Sequence, residues 1–267
     1  MTLAVLATLF IWWFSTGAIL LLIGKGAGRT TVWASAPLAG WAAWTVVHAA
    51  QFETIEAAFV GFAAAISVWG WFELAFLTGV ITGPNRAHCP KGLDGSQHFR
   101  AAWNTVSHHE IAVFCVALGF MVLLWNSPNQ TGLWCFVTLF VARISAKLNI
   151  YLGVPNFTDD MLPRQVSHLR SYFAKRRMNL LFPFSITALT LATAHWVGIA
   201  LAAPAWTGVE IGSTLVATLT YLALLEHWLM VLPVRDSLLW QWMTTKRGAD
   251  SPKQAKIGRV SGGTHGL

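Results

Sequence analysis

Charge is what this sequence lacks most. Only 11% of its 267 residues are Asp, Glu, Lys or Arg, against roughly 25% in a soluble globular domain. A deficit of that size excludes a disordered chain, a coiled coil and most soluble enzymes. Cysteine is scarce too. Cys89, Cys115 and Cys135 form no C-x-x-C pair and no zinc-ligand spacing, so a disulfide framework is excluded. Also missing are G-x-S-x-G, a phosphate-binding glycine loop and a nucleotide fingerprint. The chain has no H-E-x-x-H metalloprotease motif and no Glu-x-x-His pair of the di-iron bundles.

Apolar residues fill the space, at 55% of the chain. A membrane helix needs about 20 mostly apolar residues, and seven stretches qualify: 2–23, 32–50, 57–82, 109–125, 131–151, 182–202 and 209–233. The expected fold is therefore all-α, a polytopic membrane bundle of seven transmembrane helices over residues 1–242. Residues 243–267, rich in Gly, Ser and Lys, read as a basic, disordered tail. The first span has no basic segment before it and is too long for a cleaved signal peptide.

Basic residues concentrate on the cytoplasmic side of membrane proteins. Here Lys25 and Arg29 fall in the first connection, Arg86, Lys91 and Arg100 in the third, and Arg164, Arg170, Lys175, Arg176 and Arg177 in the fifth. Arg235, Lys246, Arg247, Lys253, Lys256 and Arg259 follow the last span, and Arg143 and Lys147 lie near the inner end of the fifth. All 18 share one side. This places the N-terminus outside (periplasmic) and the C-terminus in the cytoplasm, and it accounts for the net charge of +7 without a nucleic acid.

Ionisable residues inside a span cost about 2.5–3.5 kcal/mol each and demand a reason. Glu73 sits in the third span, Arg143 and Lys147 one turn apart in the fifth, and Glu226 and His227 in the seventh. His108, His109 and Glu110 open the fourth, and all share the cytoplasmic half of the bilayer. One reading is interhelical ion pairing, Glu73 and Glu226 against Arg143 and Lys147. A second is an iron or zinc site built from His108, His109, Glu110, Glu226 and His227. Adjacent side chains such as Glu226 and His227 point about 100° apart, which weighs against it. A third is axial ligation of a tetrapyrrole by histidine, flanked by the deep tryptophans Trp12, Trp13, Trp41, Trp44, Trp69, Trp71, Trp196 and Trp228. Residues 95–109, with His98, Thr105 and His109 at helical spacing, read as an amphipathic helix at the inner surface. Gly79 and Gly83 form a G-x-x-x-G at a helix end.

Four separated strings go further. The first span carries Phe10-Ile11-Trp12-Trp13-Phe14-Ser15-Thr16-Gly17, and the third Trp69-Gly70-Trp71-Phe72-Glu73-Leu74 running on to Gly83-Pro84-Asn85-Arg86. The fifth ends Ala142-Arg143-Ile144-Ser145-Ala146-Lys147-Leu148-Asn149, then Gly153-Val154-Pro155-Asn156. The seventh holds Leu224-Leu225-Glu226-His227-Trp228. Together, over residues 2–243, these resemble the PuhE family of photosynthetic complex assembly proteins of purple phototrophic bacteria. The resemblance implies a multi-pass protein of the bacterial inner membrane, cytoplasmic or intracytoplasmic. Its implied role is reaction-centre and light-harvesting complex assembly, or control of bacteriochlorophyll supply.

The implied partners are the lipid bilayer, reaction-centre or light-harvesting polypeptides and other assembly factors. The family has no defined ligand, so no site residue is carried over from it; the cost of burying polar groups in the bilayer nominates His109 or His227 as axial ligand of bacteriochlorophyll or a precursor, with Arg143 or Lys147 on a carboxyl or carbonyl substituent. The family assigns no catalytic residue. The competing readings are a metal-dependent membrane enzyme of tetrapyrrole or quinone metabolism, and a proton-coupled transporter using Glu73 and Glu226.

Overall fold

A computed structural model describes residues 1–156 and 162–232. Among these the chain forms seven α-helices, one 3-10 helix and no strand. The α-helices are α1 (Thr2–Gly24), α2 (Arg29–Ala49), α3 (Ile55–Leu77), α4 (Gly95–Leu124), α5 (Thr131–Leu152), α6 (Leu181–Ala202) and α7 (Gly208–Leu229); the 3-10 helix is Arg164–Tyr172. Six of the seven are long and apolar enough to cross a membrane. The exception, α2, has 21 residues, about 31 Å of length, but carries Arg29, three threonines, a serine and His48. The tail at 243–267 lies outside the described residues, as does the end of the seventh expected span.

The starts of three helices are capped by side chains. Thr54, Asp94 and Thr207 accept hydrogen bonds from the amides of Ala57, Gln97 and Glu210 at 3.2, 2.7 and 3.2 Å. The end of α3 comes earlier than residue 82, at Leu77, because Gly79 takes φ +74. Gly79 N donates to Phe76 O and Val80 N to Ala75 O, the two bonds of a Schellman stop. Gly83 serves a different purpose, since a Cβ there would overlap Asn104 O on α4. The G-x-x-x-G thus stops one helix and then lets the loop lie against another.

The fourth span also differs from the expected one. The amphipathic stretch and the apolar run form one 30-residue helix, because no Gly or Pro separates Gly95 from Gly119. His109 and Glu110 therefore sit in its middle rather than at its opening.

Helices α3 and α7 are the most buried, with α5 against both, while α1, α2, α4 and α6 surround them. Small residues allow the central helices to meet. A Cβ on Gly132 of α5 would stand 2.9 Å from Gly61 O on α3 and 2.9 Å from Val46 Cγ1, and one on Gly212 of α7 would overlap Thr131 Oγ1. The outer helices turn Leu3, Leu6, Phe10, Trp33, Trp41, Trp44, Phe184 and Leu191 outwards. An apolar surface of this extent suits hydrocarbon rather than water.

Candidate functional site

Arg143 and Lys147 are one turn apart on α5, so both face the same neighbours. Arg143 Nη2 donates to Glu73 Oε2 of α3 at 2.8 Å. Lys147 Nζ donates to Glu110 Oε1 of α4 and lies 4.7 Å from the centre of the Phe76 ring. Glu73 and Glu110 are 8% and 5% exposed. Four charges of alternating helix origin thus join α3, α5 and α4. Lys147 pairs with Glu110, not with Glu226. The Arg143–Glu73 pair is closed by one bond of the two that a fork would allow, and Arg143 Nε and Glu73 Oε1 are buried without a partner.

The other singled-out residues separate. His227 is 1% exposed, with Nδ1 2.8 Å from Ala223 O and Nε2 2.9 Å from Ser145 Oγ. The carbonyl accepts only, so Nδ1 carries the proton, while Nε2 meets a Ser145 hydroxyl that also lies 2.9 Å from Ser185 Oγ. His109 is also 1% exposed. Its ring lies 4.7 Å from that of Phe76, its backbone amide donates to Thr82 O, and its Nδ1 is buried without a partner. His108 faces outwards on α4, and Glu226 is exposed on α7. Among the described residues no group of three His, Cys, Asp or Glu side chains converges on a metal-sized site.

A polar network that sequence reasoning missed ties the C-terminal ends of α5 and α7 to the N-terminal end of α6. Asn149 Nδ2 donates to Ser145 O and to Ser185 Oγ, both at 2.9 Å. Asn179 Nδ2 donates to Asn149 O and Gly153 O, while its Oδ1 accepts from the amides of Leu181 and Phe182. The available signal was an asparagine inside an apolar helix, since such a group must be hydrogen-bonded in hydrocarbon.

Two clefts flank this region. One, about 240 Å³, lies between α1, α3, α5 and α7 and is lined by Trp12, Trp69, Glu73, Arg143 and Glu226 among others. The second, about 360 Å³, lies between α4, α5 and the 3-10 helix. Its walls are Phe76, Phe99, Trp103, Tyr151, Tyr172 and Phe173, with Glu110, Arg143 and Lys147 as its charged groups. Arg143 borders both. Neither His109 nor His227 lines either cleft.

The 3-10 helix closes one rim of the aromatic cleft. Val166 and Leu169 pack with Phe76, Ser171 Oγ accepts from Cys89 N at 2.8 Å, and Tyr172 Oη accepts from Asn85 Nδ2 and donates to Ala87 O. His168 is buried here with Nε2 unpartnered. Burial first, then the nearby charges of His88 and Arg86, hold its pKa below the ordinary histidine value. The unfolded segment therefore binds more protons below about pH 6.5. The docking energy is fully present above that pH and is lost as pH falls through the folded value. Amides 166–172, corrected for intrinsic rates, should exchange faster at about pH 5.5 than at about pH 7.5, and His168→Phe should remove the difference.

The family model described as "Protein of unknown function (DUF3623)" matches residues 1–251. An "Uncharacterized 30.4 kDa protein in puhA 5'region" of Rhodobacter capsulatus is 47% identical over 248 residues, covering 90% of each chain. No solved structure matches.

Proposed function

The chain belongs to the DUF3623 family, and from that premise we propose that it is an inner-membrane assembly factor of the bacterial photosynthetic apparatus. It holds a tetrapyrrole such as bacteriochlorophyll or a precursor and meets reaction-centre or light-harvesting polypeptides. Two lines support this reading. The relative's gene lies in the puhA region of a phototrophic bacterium, in keeping with the PuhE resemblance. The observation that carries it is the aromatic cleft, whose size falls in the range of small-molecule sites.

The donor set fits the periphery of a pigment better than its metal. Both nitrogens of His227 are engaged by protein, and His109 lies outside the cleft lining. Lys147 and Arg143 do line it and can donate to a carbonyl or carboxyl group. The pigment, when bound, supplies light absorption; the chain positions it and shields it from water.

The test is an absorption spectrum of protein purified in mild detergent from pigment-making cells. Stoichiometric tetrapyrrole bands are expected. Affinity for the pigment should fall about tenfold or more in Phe99→Ala/Trp103→Ala, since each ring contributes about 0.5–1.5 kcal/mol. A spectrum of protein bands alone removes the pigment and leaves a scaffold that grips polypeptides.

The proposed topology has seven spans, with the N-terminus periplasmic. It is supported by the alternation of α1 to α7 and by basic residues at one end only. Cys89, in the α3–α4 connection, should resist a membrane-impermeant thiol reagent in spheroplasts and react in inverted vesicles. The reverse labelling pattern would invert the protein.

A further inference from the structure

The lysine at the floor of the aromatic cleft is a curious choice for a structural ion pair. One turn earlier, the same helix uses arginine, whose planar fork suits a carboxylate and which cannot act as a nucleophile. Every other described lysine, Lys25, Lys91 and Lys175, lies outside the helices. Lys147 alone is set inside the bundle, against a carboxylate that is 5% exposed, over an aromatic ring and on the wall of an apolar cleft. An amine desolvated in an apolar pocket is the arrangement that activates lysine toward carbonyl carbon.

We propose that Lys147 forms an imine with an apolar aldehyde bound in the cleft between α4, α5 and the 3-10 helix, with Glu110 as proton acceptor and then counter-ion. This rests on the ligand-holding role proposed above for the same cleft.

The chemistry closes without an outside reagent. Glu110 takes a proton from the ammonium, and the freed Nζ lone pair attacks the aldehyde carbon. A proton passes from nitrogen to the alkoxide, giving a carbinolamine. Glu110 returns its proton to the departing hydroxyl, the C–O bond breaks, and water leaves. The product is a protonated imine beside the Glu110 carboxylate. One positive and one negative charge stand there before and after, so the ion pair survives the reaction. The aromatic walls suit a flat or conjugated ligand body. Intramembrane carboxylates are known to serve as counter-ions of bound ligands.

The experiment uses the full-length protein in detergent with all-trans-retinal as the aldehyde probe and retinol as its unreactive counterpart. Retinal followed by cyanoborohydride should add one reduced adduct, mapped by mass spectrometry to Lys147. Before reduction, its absorption should be red-shifted from free retinal. Lys147→Arg, which keeps the charge, should abolish the adduct. Glu110→Gln should slow adduct formation and shift the band of what does form to the blue, as an unprotonated imine does.

Retinol binding is read as energy transfer from Trp103, by difference from Trp103→Phe. Retinol binding without any adduct overturns the imine and leaves the cleft as a ligand site. An adduct confined to loop lysines such as Lys91 or Lys175 overturns it equally. If neither compound binds, both the imine and the cleft reading fall.

Discussion

Replacing Arg143 by leucine should lower the unfolding free energy by about 3–5 kcal/mol, the usual cost of stranding one member of a buried ion pair. The reason lies in what is left behind. Glu73 is 8% exposed, its Oε2 loses the guanidinium at 2.8 Å, and its Oε1 already lacks a partner. Arg143 is more exposed than Glu73, with 39% of its side-chain surface accessible. The mirror variant Glu73→Leu should therefore cost less, because the long arginine stem lets the guanidinium reach toward the membrane interface. The double variant Glu73→Leu/Arg143→Leu should recover most of the loss, since apolar replacement of a buried pair is often neutral or better. Denaturant unfolding in detergent measures all three. A loss below about 1 kcal/mol for Arg143→Leu would mean that the pair behaves like a surface salt bridge.

The second large effect is steric. Gly132→Leu should cost at least the 1–3 kcal/mol typical of overpacking, because its Cβ alone would stand 2.9 Å from both Gly61 O and Val46 Cγ1. Helices α3 and α5 would have to part, and the Arg143–Glu73 bond spans that same helix pair. Gly119 supplies the control, as it has open space around it. Gly119→Leu should leave the unfolding midpoint within experimental error. Equal effects at the two glycines would dismiss the close approach of α3 and α5.

Much of this was legible in sequence, for identifiable reasons. Apolar runs announce helices because hydrocarbon tolerates little else. Arg143 and Lys147 on one face of α5 followed from their spacing. The partner of Lys147 did not follow. With the fourth span beginning at residue 109, Glu110 reads as a terminal residue, whereas the continuous α4 carries it inside against α5. Helix adjacency was the missing quantity. It depends on glycines such as Gly61, Gly132 and Gly212, which look unremarkable in a membrane sequence until their neighbours are known. The asparagine and serine network between α5, α6 and α7 was hidden for the same reason.

The two ion pairs also have an electrical consequence. A voltage of 100 mV does about 2.3 kcal/mol of work on a unit charge carried across the whole membrane. Arg143 with Glu73 and Lys147 with Glu110 add to zero. If the two pairs shift together, an energised membrane finds no net charge on them to pull upon. These two pairs therefore give the membrane voltage no handle on how α3, α4 and α5 stand against one another.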